Sequence, residues 1–375
     1  MNACYSYNIR LIIAFVVALV AVVALACGGG GIASMEEGRG EHAATLLTDG
    51  RLLVAGGRDS KALASSEVYD PAIGEWSSAG PLTTARYGHT QTLLKDGKVL
   101  AVGGNAPPEV YDPTTGTWSS TGSMTYLRIS GHTTTLLEDG RVLVTGGISD
   151  VDGSRKMVGF AELYDPSTGT WELTGDMTEP RERHQAVLLN DKTVLVIGSK
   201  TDRAYVIGET SAELYNPATG KWSKAGNLPN AHAERFAVTL LGDGRVLIAG
   251  GGTRGRTLAP NITASMDIYD PSTGEWSTAI DMPAKSWGHT TTVLPDGTIL
   301  FVEMVRVEIF DPAAETWTSV GKLTKARNGL HTATLLEDGR VFIVGGDNIT
   351  YDRVGRISAR EGLDSVRVYD PAEEW

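Results

Sequence analysis

Seven copies of one phrase constrain this chain more than any other feature. "HTTTLLEDGRVLVTGG" (132–147) recurs as "HTQTLLKDGKVLAVGG" from His89 and "HTATLLEDGRVFIVGG" from His331. Aligned on its first residue, the phrase opens at His42, His89, His132, His184, Phe236, His289 and His331. Six copies turn on Asp-Gly, at Asp49, Asp96, Asp139, Asp243, Asp296 and Asp338, and the fourth on Asp191-Lys192. Asp-Gly between apolar runs signals a hairpin, because a type I′ turn needs positive φ at both central residues. The second run ends on a glycine pair: Gly56-Gly57, Gly103-Gly104, Gly146-Gly147, Gly250-Gly251 and Gly345-Gly346. Unit four has Gly198-Ser199 there, and unit six Glu303-Met304. Glycine in that place permits positive φ or the close approach of a neighbour.

Each unit then runs through a variable stretch into "AELYDPSTGTW" (161–171) or a close relative. The aromatic before Asp/Asn-Pro is Tyr69, Tyr111, Tyr164, Tyr215, Tyr269, Phe310 or Tyr369; the tryptophan after it is Trp76, Trp118, Trp171, Trp222, Trp276, Trp317 or Trp375. Proline pre-sets φ and the following glycine supplies positive φ, so "DPSTG" is a second turn. A unit therefore encodes four antiparallel strands in about 40–55 residues, the period of a propeller blade. One such sheet cannot bury both faces alone, whereas seven around an axis bury each other. The expected fold is all-β, a seven-bladed β-propeller of four-stranded antiparallel blades. The second strand is apolar on both sides ("VLV", 142–144) and the Trp strand alternates ("TWEL", 170–173), so the first hairpin is expected inside and the Trp strand outside.

A glycine pair, then Tyr, then Trp at fixed spacing resembles the kelch-repeat family. The "DGRVLVAGG…YDPxTGxW" form is similar to bacterial kelch proteins and to the propeller domain of galactose oxidase. The resemblance covers residues 32–375 and implies architectural roles for the glycines and tryptophans. The galactose oxidase copper site needs a Cys–Tyr crosslink and a further domain. Here the two cysteines, Cys4 and Cys27, both precede the repeats. The resemblance thus implies the propeller without that machinery, and neither metal nor cofactor is expected.

The first residues form a separate object. "LIIAFVVALVAVVALA" (11–26) follows Arg10 in the layout of a signal peptide. As a helix its sixteen residues span about 24 Å, short of the ~30 Å hydrocarbon core. "VALAC" followed by "GGGG" resembles a bacterial lipobox, which implies lipid on Cys27. The expected organisation is a lipoprotein-type signal over 1–26, a lipidated Cys27 with glycine tether over 27–31, and the propeller over 32–375. A plain cleaved signal and an uncleaved anchor are the alternatives. All three place the body outside the cytoplasm, membrane-anchored in the lipoprotein case, in the periplasm or at the cell surface. Residues 30–35 are shaped like the segment after Trp in other units and are expected to complete the last blade beside Trp375; a truncated gene product is the alternative.

Net charge is −12, which argues against a phosphate-tracking nucleic-acid surface. Six of the seven histidines share one repeat position. A metal needs nitrogens about 2 Å from itself, whereas equivalent positions on seven blades surround a channel; hydrogen bonding between blades is expected instead. Arg39, Arg86, Arg128, Arg181 and Arg327 recur three or four residues earlier and are expected to be architectural, with a basic channel mouth as the alternative. Function is expected on the face carrying the variable stretches 148–160, 200–211, 252–265 and 347–364, since loops on a rigid scaffold carry binding. The candidate ligand residues are Arg155, Asp202, Arg203, Tyr205, Arg254, Arg256, Tyr351, Asp352, Arg353 and Arg356. "DVDGS" (150–154) has too few oxygens at fixed spacing for an EF-hand-type site and reads as a solvated loop. No nucleophile elbow, zincin motif or P-loop is present. The expected function is a lipid-anchored, extracytoplasmic scaffold binding a protein or glycan, without turnover. The alternative is a sugar-directed small-molecule enzyme with its pocket at the channel mouth.

Overall fold

Two tight turns per unit force the strands to pair in chain order. In the first unit Ala43–Leu46, Leu52–Ala55, Ser66–Asp70 and Glu75–Ser78 form one sheet in that order. Leu46 lies opposite Leu52 across the Asp49-Gly50 turn, where Gly50 has φ +81° but Asp49 does not have positive φ. The turn is therefore a wider loop, closed by Leu47 N on Arg51 O at 2.8 Å and Gly50 N on Leu47 O at 3.0 Å, and not the type I′ turn expected from Asp-Gly. The computed structural model describes residues 33–198, 210–232, 234–254, 260–327, 329–351 and 357–373. Within them the four-stranded antiparallel sheet occurs six times, and the seventh unit contributes His331–Leu335, Val341–Gly345 and Val366–Tyr369. No helix occurs among the described residues.

The first strands stand side by side. Each touches the first strand of both neighbouring blades, and that of blade 7 touches that of blade 1, so the ring is closed. Every second strand is buried along its length, from Leu52–Ala55 to Val341–Gly345, while the Trp strands are largely exposed. The inner and outer strands are thus as the apolar pattern requires. The core consists of seven apolar clusters, one at each blade–blade interface. In the first, Leu53 and Val68 of blade 1 meet Val99, Ala101 and Tyr111 of blade 2. Within a blade the Tyr and Trp rings pack at 4.8–5.2 Å between centroids. In blades 4 and 5 the Trp N–H reaches back one blade: Trp222 donates to Gly175 O and Trp276 to Ala225 O, both at 2.6 Å.

The 7–1 interface repeats this chemistry. Trp76 Nε1 donates to Ala33 O at 2.9 Å, and Met35 N donates to Asp364 O at 3.0 Å as Leu82 N does to Ala64 O at 2.8 Å. Met35 is buried with Phe342, Val344 and Val366 of blade 7 and Leu52, Val54 and Tyr69 of blade 1. Ala33–Met35 therefore fill, for blade 7, the place that the segment after Trp fills elsewhere. Residues 30–32 and Trp375 lie outside the described residues.

The glycine pair explains the recurring histidine. The first glycine has φ near +60° in four units (+59° at Gly56 and Gly146, +60° at Gly250, +62° at Gly345) and carries the ring of the next blade. A Cβ on Gly146 would lie 2.8 Å from His184 Cε1 and 2.5 Å from Arg181 O; on Gly345 it would lie 2.5 Å from His42 Cε1. In unit four Gly198 carries Phe236 in the same way. The second glycine faces its own blade, where a Cβ on Gly57 would lie 2.9 Å from His42 Cβ. The rings also pair with the preceding blade: His42 Nε2 with Thr332 Oγ1 at 3.1 Å, His132 with Thr90 at 3.1 Å, His184 with Thr133 at 2.9 Å and His331 with Thr290 at 3.2 Å. His42, His132, His184 and His331 are thus hydrogen-bonded inter-blade links, as expected. Both ring nitrogens of His89 and His289 are buried without a hydrogen-bond partner among the described residues, and these two join the blades by packing.

Two predictions follow from these seats. Gly146→Ala introduces both a left-handed alanine and two clashes, and should lower unfolding free energy by about 3 kcal/mol. Gly153→Ala, at φ +74° but with nothing within 4 Å, should cost only about 1 kcal/mol; denaturant titration compares the two. Burial, and secondarily the nearby Arg39, holds the His42 pKa down at about 3. Burial does the same to His89, His132, His184, His289 and His331, at about 3 or about 4. Below the unfolded value of 6.5 the unfolded chain binds protons that the folded chain refuses. Stability should be full above pH 6.5 and fall steadily towards pH 4, and His184→Phe, which copies Phe236, should make that fall shallower.

Candidate functional site

The two faces of the ring differ in how their charges are used. On the face of the tight turns, each acid serves its own turn. Asp139 accepts from Arg141 N at 3.0 Å and Nε at 2.8 Å, and Asp49, Asp243 and Asp338 do the same with Arg51, Arg245 and Arg340. A cleft of about 450 Å³ there, between Lys95, Asp139 and Pro166, is lined by such locally paired groups.

On the opposite face the linker from each outer strand must turn down into the next channel-lining strand. It does so at the residue just before each ring, which has positive φ: Glu41 +53°, Gly88 +62°, Gly131 +68°, Arg183 +54°, Arg235 +55°, Gly288 +65° and Leu330 +64°. Glycine takes this conformation without strain, whereas the four other side chains hold it at a cost of about 1 kcal/mol each. All of these but Gly288 ring a chamber of about 690 Å³ at the channel mouth, with Arg58 and Tyr87 beside them.

The mouth gathers four guanidinium groups and three carboxylates. Arg58 pairs with Glu41 at 2.6 Å and lies 4.5 Å over the Tyr87 ring. Arg360 reaches Glu41 at 3.3 Å and Asp347 at 2.7 Å, and burial raises the Asp347 pKa. Arg183 pairs with Glu234 at 3.2 Å. Arg235 lies 4.8 Å over Trp287, and among the described residues no carboxylate is within ion-pair distance of it. Burial, then the charge of Arg183, pulls the Arg235 pKa below the ordinary guanidinium value. Gly288 and Gly329 leave room around it; a Cβ on Gly329 would lie 3.3 Å from Arg235 Nη1. The arrangement offers a partly desolvated cation on an aromatic face, suited to an anionic group.

The stretches read from sequence as loops are largely hairpins. Ile148–Val151 pairs with Ser154–Met157, Gly252–Arg254 with Pro260–Ile262, and Asp347–Tyr351 with Ile357–Gly362. "DVDGS" is the turn of the first, with Asp152 at φ +56° and Gly153 at +74°. That hairpin also pairs with the linker Arg128–Ser130, and Ser149 Oγ donates to Leu127 O at 2.7 Å. Arg155 is exposed on its outer strand, opposite Asp150. Arg254 and Tyr351 are described as strand backbone alone. Cys27, Asp202, Arg203, Tyr205, Arg256, Asp352, Arg353 and Arg356 lie outside the described residues. Sequence reasoning missed Glu41, Arg58, Arg183, Arg235, Trp287 and Arg360. One signal was available: "GH" at 88, 131 and 288 marks a glycine slot that units one, four, five and seven fill with larger residues.

The recurring arginines do not line the mouth. Arg39, Arg86, Arg128, Arg181 and Arg327 are all buried. Arg39 donates to Gly56 O at 2.9 Å and Ser65 O at 3.0 Å and pairs with Glu67 at 2.6 Å. Arg128 pairs with Glu162 at 3.1 Å, Arg181 with Glu213 at 3.0 Å, and Arg86 with Glu109. In blade 5 His232 replaces the arginine, bridging Gly250 O at 2.7 Å and Asp267 at 3.2 Å. The acid stands two residues before the aromatic in six units, a repeat that sequence reasoning overlooked.

Comparison with known proteins agrees with this architecture. A family model for the Kelch motif matches residues 39–83. An F-box/kelch-repeat protein of Arabidopsis thaliana is 27% identical over 189 residues, covering 44% of this chain and 39% of that protein. Kelch-like protein 34 of Homo sapiens is 28% identical, covering 46% of this chain and 27% of its own length; beta-scruin of Limulus polyphemus is 24% identical, covering 50% and 21%. The matched part of this chain thus spans less than half of each relative. Among solved structures, a fungal alcohol oxidase of the AA5 family, in complex with copper, superposes with TM-score 0.69 at 18% identity, covering 89% of this chain and 75% of that one.

Proposed function

We propose that this chain, a kelch-repeat β-propeller by its repeats, its family match and its fold, is a recognition scaffold held outside the cytoplasm by a lipid on Cys27. It takes the anionic part of a protein or glycan at the channel mouth. The observation that carries this reading is Arg235: a guanidinium held on a strained backbone, laid on Trp287, cleared by two glycines and lacking, among the described residues, a carboxylate partner. Strained side chains kept where glycine would serve are a recurrent mark of binding sites. A net charge of −12 makes a cationic mouth a selective place for an acid, because the rest of the surface repels it. The basic residues of the hairpins above, Arg155 among them, would extend the contact. The likeness to the AA5 oxidase supports the fold alone, and both cysteines lie before the first repeat.

Two experiments test the two halves of this reading. A panel of acidic and neutral peptides and glycans should yield only acidic binders. Arg235→Ala should weaken them at least about tenfold without lowering the melting temperature, and the affinity should fall with salt. Neutral binders, or equal binding by the variant, would reject the mouth as the site. For the anchor, Cys27→Ser should move the protein from the membrane fraction to the soluble one; retention of the variant in membranes would reject the lipid.

A further inference from the structure

The buried ion pair is broken in blade 7. In blades 1 to 4 the carboxylate of Glu67, Glu109, Glu162 or Glu213 does two jobs. It neutralises the buried guanidinium, and it accepts N–H groups of the linker: Glu36 N at 2.7 Å on Glu67, Thr83 N at 2.6 Å on Glu109, Thr125 N at 2.7 Å on Glu162 and Thr178 N at 2.8 Å on Glu213. In blade 5 Asp267 stands in the same place, 3.2 Å from His232 Nε2 and accepting Asn230 N at 2.9 Å.

Blade 7 keeps the cation. Arg327 is 1% exposed and donates to Gly345 O, Ser365 O and Ser365 Oγ, as Arg39 does to Gly56 and Ser65. The position of the acid, two residues before Tyr369, holds Arg367. Among the described residues no carboxylate pairs with Arg327, and its buried Nε has no hydrogen-bond partner. Burial, then the charge of Arg367, lowers the Arg327 pKa to about 10. Thr324 and Lys325 occupy the places of Thr83 and Thr84, whose N–H groups bind the carboxylate in blade 2. A buried guanidinium needs a counter-charge, and here the repeat has put a second cation where that charge belongs.

We propose that blade 7 binds a small oxyanion from solution in the place of the missing carboxylate, between Arg327 and Arg367 and against the linker amides of Thr324 and Lys325. The site is distinct from the channel mouth and does not depend on it. Lys325 opens on a cleft of about 460 Å³ that also carries Glu36, Glu37 and Glu361. That acidic lining repels a polyanion more strongly than a small inorganic anion. Because Met35 closes the ring against this same blade, occupancy would tie ring closure to the ambient anion.

The test is thermal melting of the full chain against inorganic phosphate, with chloride at matched ionic strength as control. The melting temperature should rise with phosphate and saturate, as for any ligand of the folded state. Arg367→Glu restores the carboxylate of the other blades. It should melt higher than the parent without phosphate and no longer respond to it. Arg367→Gln leaves one cation and should shift the phosphate midpoint at least about tenfold. The proposal is overturned if phosphate acts no differently from chloride on the parent, if Arg367→Glu responds like the parent, or if Arg367→Gln leaves the midpoint unchanged.

Discussion

A ring seated on a glycine is the contact from which the rest of this structure follows. In six of the seven interfaces an imidazole or phenyl ring of one blade lies where a Cβ of the preceding blade would be. The seat fixes the approach of two sheets to within a few tenths of an ångström, because close-packed interiors do not tolerate a misplaced carbon. It also places a polar nitrogen beside the threonines of the neighbouring first strand. The interface between blades 6 and 7 lacks it. Glu303 stands in the glycine place, its carboxylate turned to Arg306 Nε at 2.9 Å, and the chain passes directly into the next strand with no inserted hairpin.

Below the ring of seats runs a second tier of buried charge. Such pairs add little net stability, since desolvation offsets attraction. Their value lies in geometry: one carboxylate binds the linker amides and the guanidinium together, so the linker can enter the blade at only one height. The two departures are adjacent. Blade 6 has Ser286 for the arginine and keeps Glu308, while blade 7 keeps Arg327 and has Arg367 for the acid. The regularity of the pair is thus lost where the ring comes round to its beginning.

The fold was legible because its determinants are local and repeated. Asp49-Gly50 and its counterparts set the first turn, Asp-Pro set the second, and Tyr69 with Trp76 fixed the outer pair of strands. The function of Gly56 was legible only as a need for space; that His89 fills the space requires two blades at once. The acids at 67, 109, 162 and 213 stand two residues before the aromatic, as Glu162 does in "AELYDPSTGTW", and went unread, because a glutamate on a strand has no periodic signature unless its partner is known. The mouth was harder still. Arg58, Arg183, Arg235 and Arg360 come from four blades, and no sequence spacing brings them together. Three of the variable stretches looked structureless because their hairpins are short and polar, although Asp152-Gly153 carried the same turn code as the blades.

Closure through Ala33–Met35 makes the polypeptide's point of entry chemically equivalent to any other linker. The hydrogen bond of Met35 at that junction is the one that Leu82, Met177, Leu228, Met282 and Leu323 make at theirs, and that of Trp76 is the one that Trp222 and Trp276 make. A chain spliced across this junction and reopened at an exposed Asp-Gly turn elsewhere would retain every interface. Such a circular permutant differs from the parent in loop-closure entropy alone. The order in which the blades are written along the gene is then a matter of synthesis and assembly rather than of the finished object.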